Sequence, residues 1–101
     1  MSSVKWTPSA LSDLQNIREY IAYDSVYYAD IFVNDAFSAT EQLELFPEMG
    51  RIVPEIGDPA VRELIHGSYR IIYEVIENNA HIVTIVHGKR LLPEILNNPS
   101  P

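Results

Sequence analysis

VRELIHGSYRIIYEVIENNAHIVTIVH, residues Val61 to His87, decides the fold. Apolar residues recur here with a period near two, and many are β-branched or aromatic, as half-buried strands require. Two dipeptides interrupt the pattern. Gly67-Ser68 suits a type II′ hairpin and Asn78-Asn79 a type I′ hairpin, because these residues tolerate positive φ. A three-stranded antiparallel meander follows. With two-residue loops at both places, Ile65 lies opposite Arg70, and Arg70 opposite His87. Leu64, Ile71 and Val86 then form one row on the other face, and Arg62, Tyr73 and Thr84 the next.

The sheet so drawn is apolar on both sides. One face offers Leu64, Ile71, Tyr73, Val75, Ile82 and Val86; the other offers Ile65, Ile72, Ile76, Val83 and Ile85. Upstream, residues 47–59 hold three prolines and two glycines and read as a loop. Before it stand two amphipathic helices. The first starts at Thr7-Pro8, a hydroxyl cap followed by proline where no N–H is needed. It carries Leu11, Leu14, Ile17 and Ile21 at helical period. The second follows Asp24-Ser25, presents Ala29, Phe32, Val33, Ala36, Thr40, Leu43 and Phe46 on one face, and stops at Pro47. Val4-Lys5-Trp6 reads as a short first strand.

The expected fold is therefore α+β, with two N-terminal helices packed on one face of an antiparallel sheet. Residues 1–101 form one domain, and 97–101 read as a loose tail. Two helices side by side cover only one face of a small sheet. The second must be covered by the C-terminal segment, by another chain, or be left as an exposed patch. A partner is expected there, contacting Ile65, Ile72, Ile76, Val83 and Ile85. Without it the chain should self-associate.

Charge narrows the partners. The net charge is −7, from 14 acids against 7 bases, so the chain is a poor polyelectrolyte ligand for nucleic acid. The excess is uneven: residues 1–50 hold eight acids and two bases, residues 51–101 six acids and five bases. An anion would be met on the sheet. There is no cysteine, hence no disulfide or thiolate chemistry. The Met1 end lacks a signal-peptide pattern and no apolar run could span a bilayer, so a cytoplasmic protein with no membrane role is expected.

Few residues can carry chemistry. Arg70 beside His87, with Lys89 and Arg90 beyond, can bind a phosphate and move a proton, as phosphodiester cleavage requires. A surface cluster without catalysis is the competing reading. His66 and His81 read as solvated turn residues. His81 and His87 are six residues apart, roughly 20 Å along a strand, too far to share a metal. Glu63 and Glu74 read as groups that keep an edge soluble. Trp6 and the group Tyr20, Tyr23, Tyr27 and Tyr28 are expected to pack between helices and sheet edge. Glycine-rich phosphate loops, HExxH and nucleophile turns are absent, and neither a cofactor nor a metal is expected.

The run Trp6-Thr7-Pro8-x-Ala10 with Asp13-Leu14, Ile17 and Tyr20-Ile21 resembles the opening of ParE/RelE superfamily toxins. Phe46-Pro47-Glu48-Met49-Gly50-Arg51 resembles their helix-to-sheet loop. Val61-Arg62, Tyr69-Arg70-Ile71-Ile72-Tyr73 and His87-Gly88-Lys89-Arg90 resemble their strand signatures. The likeness spans about residues 4 to 92. It implies a β-α-α-β-β-β fold and the toxin of a type II toxin–antitoxin pair (of the plasmid-stabilisation kind), neutralised by a cognate antitoxin.

The superfamily divides by target. RelE-type members cut mRNA in the ribosomal A site, whereas ParE-type members poison DNA gyrase. The ribonuclease branch uses basic residues on the sheet and a C-terminal tyrosine, or a glutamate with a His-Tyr end. Arg70 and Arg90 match two family arginines, and Arg62 lies near a family lysine. Glu63 or Leu64 falls where a second lysine would, and Leu96 where the tyrosine would. The resemblance thus implies a non-enzymatic gyrase inhibitor binding through Arg62, Lys89 and the apolar sheet surface. The alternatives are an mRNA endoribonuclease using Arg70, His87 and Arg90, or an inactive relative that binds only its antitoxin.

Overall fold

Thr7 and Ser25 decide where the helices begin. Thr7 has extended backbone, and its Oγ1 accepts the Ala10 N–H at 3.1 Å, with Pro8 at the first helical position. Ser25 accepts the Tyr28 N–H at 3.2 Å. Each hydroxyl satisfies a donor that a helix start leaves without a backbone acceptor. The structure, a computed structural model, describes residues 2–89; Arg90 and the 97–101 tail lie outside the described residues. The elements are β1 (Val4–Trp6), α1 (Pro8–Ala22), α2 (Val26–Glu41), a 3-10 turn (Gln42–Glu44), β2 (Arg51–Ile52), β3 (Val61–His66), β4 (Tyr69–Ile76) and β5 (Asn79–His87).

The α+β architecture is as expected, with two refinements. The short β2 adds an edge, giving a five-stranded sheet in the order β1-β5-β4-β3-β2. The sheet is mixed, because β1 pairs parallel with β5, Val4 beside Ala80 and Trp6 beside Ile82. Such pairing needs a long crossover, which the helices and meander together supply.

The first hairpin has the expected register, Ile65 opposite Arg70, with Gly67 at φ +59°. The second differs. Its turn residues are Glu77 and Asn78, at φ 50° and 66°, so Ile76 rather than Glu77 closes the ladder with Asn79. A bulge then follows: Tyr73 lies opposite Ile82 but Ile72 opposite Thr84, leaving Val83 unmatched. Beyond the bulge Ile71 faces Ile85, Arg70 faces Val86, and Tyr69 faces His87. The expected Arg70–His87 pair is thereby broken, and Ile85 and Val86 exchange faces.

The helices cover the face bearing Ile71, Tyr73, Ile82 and Ile85, packing Ala10, Leu14, Ile17, Ala36 and Leu43 against it. The second face has a cover that strand and helix counting did not supply. The loop after α2 folds back over it, burying Val53 completely against Ile72 and Val86, with Ile56 and Val61 around them. Backbone bonds hold the loop down: Val53 N–H to Val61 O at 3.1 Å and Gly57 N–H to Val53 O at 2.9 Å. Ile72 and Ile85 are therefore core residues, Val83 is half-buried, and Ile65 and Ile76 stay exposed.

The four tyrosines also differ from expectation. Tyr20, Tyr23, Tyr27 and Tyr28 are all exposed at the α1–α2 junction, while Phe32 and Val33 do the packing. Trp6 packs as expected, its ring 5.0 Å from that of Phe37.

Candidate functional site

Glu63 sits mid-strand on β3, opposite Ile72, with its side chain wholly buried. A lone carboxylate there would be severely destabilising, so the surrounding chemistry is built around its charge. Arg70, two rows along on β4 and only 5% exposed, donates Nε–H to Glu63 Oε1 at 2.7 Å. Its Nη1 and Nη2 reach Glu55 Oε2 and Oε1 of the covering loop at 2.6 and 2.8 Å. Arg51 of β2 donates its Nε–H to Glu63 Oε2. Two carboxylates and two guanidinium groups thus form a chain across β2, β3, β4 and the loop.

All three donor nitrogens of Arg70 are directed at carboxylates. The bonds to Glu55 lead in holding its guanidinium charged well above the ordinary arginine range; burial opposes them, and Glu63 adds to them. A phosphate arriving here would have to displace a carboxylate and then face it. Glu63, expected to keep an edge soluble, is instead the centre of this cluster. The sequence held one usable signal: an acid within an apolar strand, with arginines at 51 and 70.

Arg62 is likewise occupied. It donates to three carbonyls, Pro59 O at 2.9 Å, Glu48 O at 3.1 Å and Gly50 O at 2.9 Å, and so ties the loop to β3. The Gly50 N–H meanwhile donates to the Tyr73 hydroxyl at 2.9 Å. A Cβ at Gly50 would lie 2.6 Å from both that oxygen and Glu63 O, so only glycine fits. Burial raises the Tyr73 phenol above its usual range, opposed by the Gly50 bond.

Where β4 begins and β5 ends, the sheet opens into a cleft of about 370 Å³, bordered by Arg51, Ile65, Tyr69, Arg70, His87 and Lys89. Arg70 and His87 border this space from adjacent rows. The His87 ring meets Tyr69 edge-on at 5.7 Å, and its Nδ1 accepts the Lys89 N–H at 3.3 Å. His87 also borders a groove between α1 and the sheet, with Ile17, Tyr20, Ile21 and Tyr69. His66, expected to be solvated, is half-buried, with Nε2 3.2 Å from Phe32 O and its ring 4.5 Å from that of Phe32. His81 lies within β5, opposite Glu74. Arg51 and Lys89 border the cleft together with Arg70, whose guanidinium is bonded to Glu55 and Glu63. Among the described residues no group of three His, Cys, Asp or Glu is placed to hold a metal, and no helix is long and apolar enough to cross a membrane.

The model of the ParE toxin of type II toxin–antitoxin systems (parDE) matches residues 4–92. The chain belongs to this family. It is therefore a toxin of the ParE/RelE superfamily, as the strand signatures implied. This ParE-family chain is 37% identical over 92 residues to Toxin RelE2 of Caulobacter vibrioides, covering 90% of itself and all of that relative. Its fold resembles that in a structure of the chromosomal ParDE system of P. aeruginosa, with TM-score 0.71 and 26% identity over 86% of this chain and 96% of that one. A second likeness is to the RelBE2 toxin–antitoxin complex of Mycobacterium tuberculosis. There the TM-score is 0.54 at 18% identity, covering 85% and 96%, a likeness of fold alone.

Proposed function

We propose that this toxin acts by binding DNA gyrase rather than by cutting RNA, and that a cognate antitoxin neutralises it. The observation that carries the reading is the Arg70 guanidinium, shared between Glu55 and Glu63. Catalysis of phosphodiester cleavage needs positive charge aimed at the developing phosphorane, and here that charge is aimed at carboxylates. The −7 net charge works in the same direction against an RNA-rich target. The likeness to the chromosomal ParDE toxin–antitoxin system of P. aeruginosa supports an antitoxin for this chain. Its contacts would be Lys89, Arg51 and the exposed Ile65 and Ile76, with half-buried Val83. Ile72 and Ile85 are too deeply buried to serve.

A second reading draws on the Toxin RelE2 relative. Arg70, His87 and Lys89 do border one cleft, so a ribosome-dependent mRNA endoribonuclease using Arg70, His87 and Arg90 is the alternative. Two assays separate them. Purified protein is tested against gyrase supercoiling and against mRNA on programmed ribosomes. Loss of supercoiling with intact mRNA supports the gyrase reading; cleavage that Arg70→Ala and His87→Ala abolish supports the nuclease. Inactivity in both, with a stable antitoxin complex, would mean an inactive antitoxin-binding relative.

A further inference from the structure

The α1–α2 junction carries four tyrosines that the fold does not use. Tyr20, Tyr23, Tyr27 and Tyr28 are 76%, 93%, 71% and 64% exposed, and Val26 among them is 58% exposed. Tyr27 and Tyr28 lie edge to face at 5.3 Å. Large side chains so exposed add nothing to the core, and a contiguous exposed patch of them marks an interaction site. Tyrosine suits protein recognition because its rigid ring has few rotamers to lose, while its hydroxyl tolerates water beforehand.

Charge states what the partner must offer. From Glu19 to Gly50 the chain has seven acids and no lysine, arginine or histidine. Arg18, the adjoining base, is already paired with Asp30 at 2.8 Å. At the tip itself Glu19 adjoins Tyr20, and Asp24 lies in the turn between the tyrosine pairs. Nucleic acid and anionic membrane surfaces are repelled. An arginine side chain fits on both counts, because guanidinium stacks on a phenol ring and neutralises a neighbouring carboxylate. The area is adequate as well. Four tyrosines at about 150–250 Å² each approach the roughly 800 Å² per partner of a standard interface.

We propose that the α1–α2 tip is a docking surface for an arginine-rich segment of another protein, adjoining the groove that Tyr20 shares with Tyr69 and His87. The probe is a short synthetic peptide alternating arginine and serine, with a lysine counterpart of equal charge. Each is titrated into the full chain while the tyrosine ring resonances are followed by NMR. The arginine peptide should bind more tightly than the lysine peptide and shift the rings of Tyr23 and Tyr27. In the variant Tyr23→Ser with Tyr27→Ser, which keeps every acid, affinity for the arginine peptide should fall by about tenfold or more. The single variant Tyr23→Ser, at the most exposed position, serves should the double variant not fold, and should itself weaken binding measurably. Equal binding of both peptides, or unchanged affinity in the serine variant, would reduce the effect to net charge and overturn the proposal. So would self-association of the unmodified chain that Tyr23→Ser abolishes, since the surface would then belong to a second copy.

Discussion

The two faces of the sheet are sealed by different physics. Toward the helices the interface is mainly apolar, with Leu14, Ile17 and Leu43 against Ile71, Tyr73, Ile82 and Ile85, and with Asp13 of α1 accepting the Thr84 hydroxyl at 2.6 Å. Toward the loop a small apolar patch of Val53, Ile72 and Val86 adjoins the chain of Arg51, Glu63, Arg70 and Glu55. Area-driven packing is tolerant of detail, whereas a buried ion cluster requires every partner in place. The helical face provides stability. The loop face fixes where one particular loop must lie, and in doing so it spends the positive charge of the sheet.

The sharpest way to break this contrast is Glu63→Ala. It removes one carboxylate from the buried Arg70 and the carboxylate that Arg51 binds, and should cost about 3–5 kcal/mol. Urea unfolding reads this; a loss below about 1 kcal/mol would show that the cluster organises nothing. On the apolar face Ile71→Ala should cost about 3 kcal/mol through a cavity against the helices, and the protein should keep its loop protected in hydrogen exchange. Tyr73→Phe joins the two faces: it removes the acceptor for Gly50 N–H and should cost about 1–3 kcal/mol. Exchange should then accelerate at Gly50 and Arg51 before it does so in α1. If α1 opens first, the division into faces is wrong. Thr7→Ala removes the α1 cap and should cost about 1 kcal/mol, seen as a lowered Tm with an unchanged loop. Arg18→Ala, in an ion pair exposed on both sides, should change stability by less than about 1 kcal/mol in the same denaturation series.

Much of the fold was legible in the sequence because local signals agreed with one another. Thr7-Pro8, Ser25 and Gly67-Ser68 each punctuate the chain where the structure does, whereas α2 ends at Glu41, ahead of Pro47, and leaves Phe46 exposed. The register of β5 was not legible, for two reasons. Glu77, Asn78 and Asn79 offer two overlapping candidate turns, and the pair with positive φ is Glu77-Asn78. The bulge at Val83 lies in a run of β-branched residues whose pattern is equally compatible with either face. That slip of register moved Ile85 into the helical core and separated Arg70 from His87. The candidate site was legible only as a list of cations. Its state of charge depends on Glu55, a loop residue, and no periodicity places a loop over a sheet. The four tyrosines were misplaced for a related reason: aromatic content signals burial on average, and only three-dimensional packing shows that Phe32 and Val33 had already filled the space.

The strand order carries a consequence for synthesis. Among the described residues β5, the last strand made, lies between β1 and β4, and β1, the first made, has it as its only neighbour in the sheet. Backbone bonds such as Ala80 N–H to Ser3 O at 2.9 Å, and the Thr7 hydroxyl to Val83 O at 3.2 Å, join residues more than seventy positions apart. Helices α1 and α2 can leave the ribosome early, but the surface they rest on does not exist until His87 has emerged. The nascent toxin must therefore assemble late and all at once, after translation of the segment is complete.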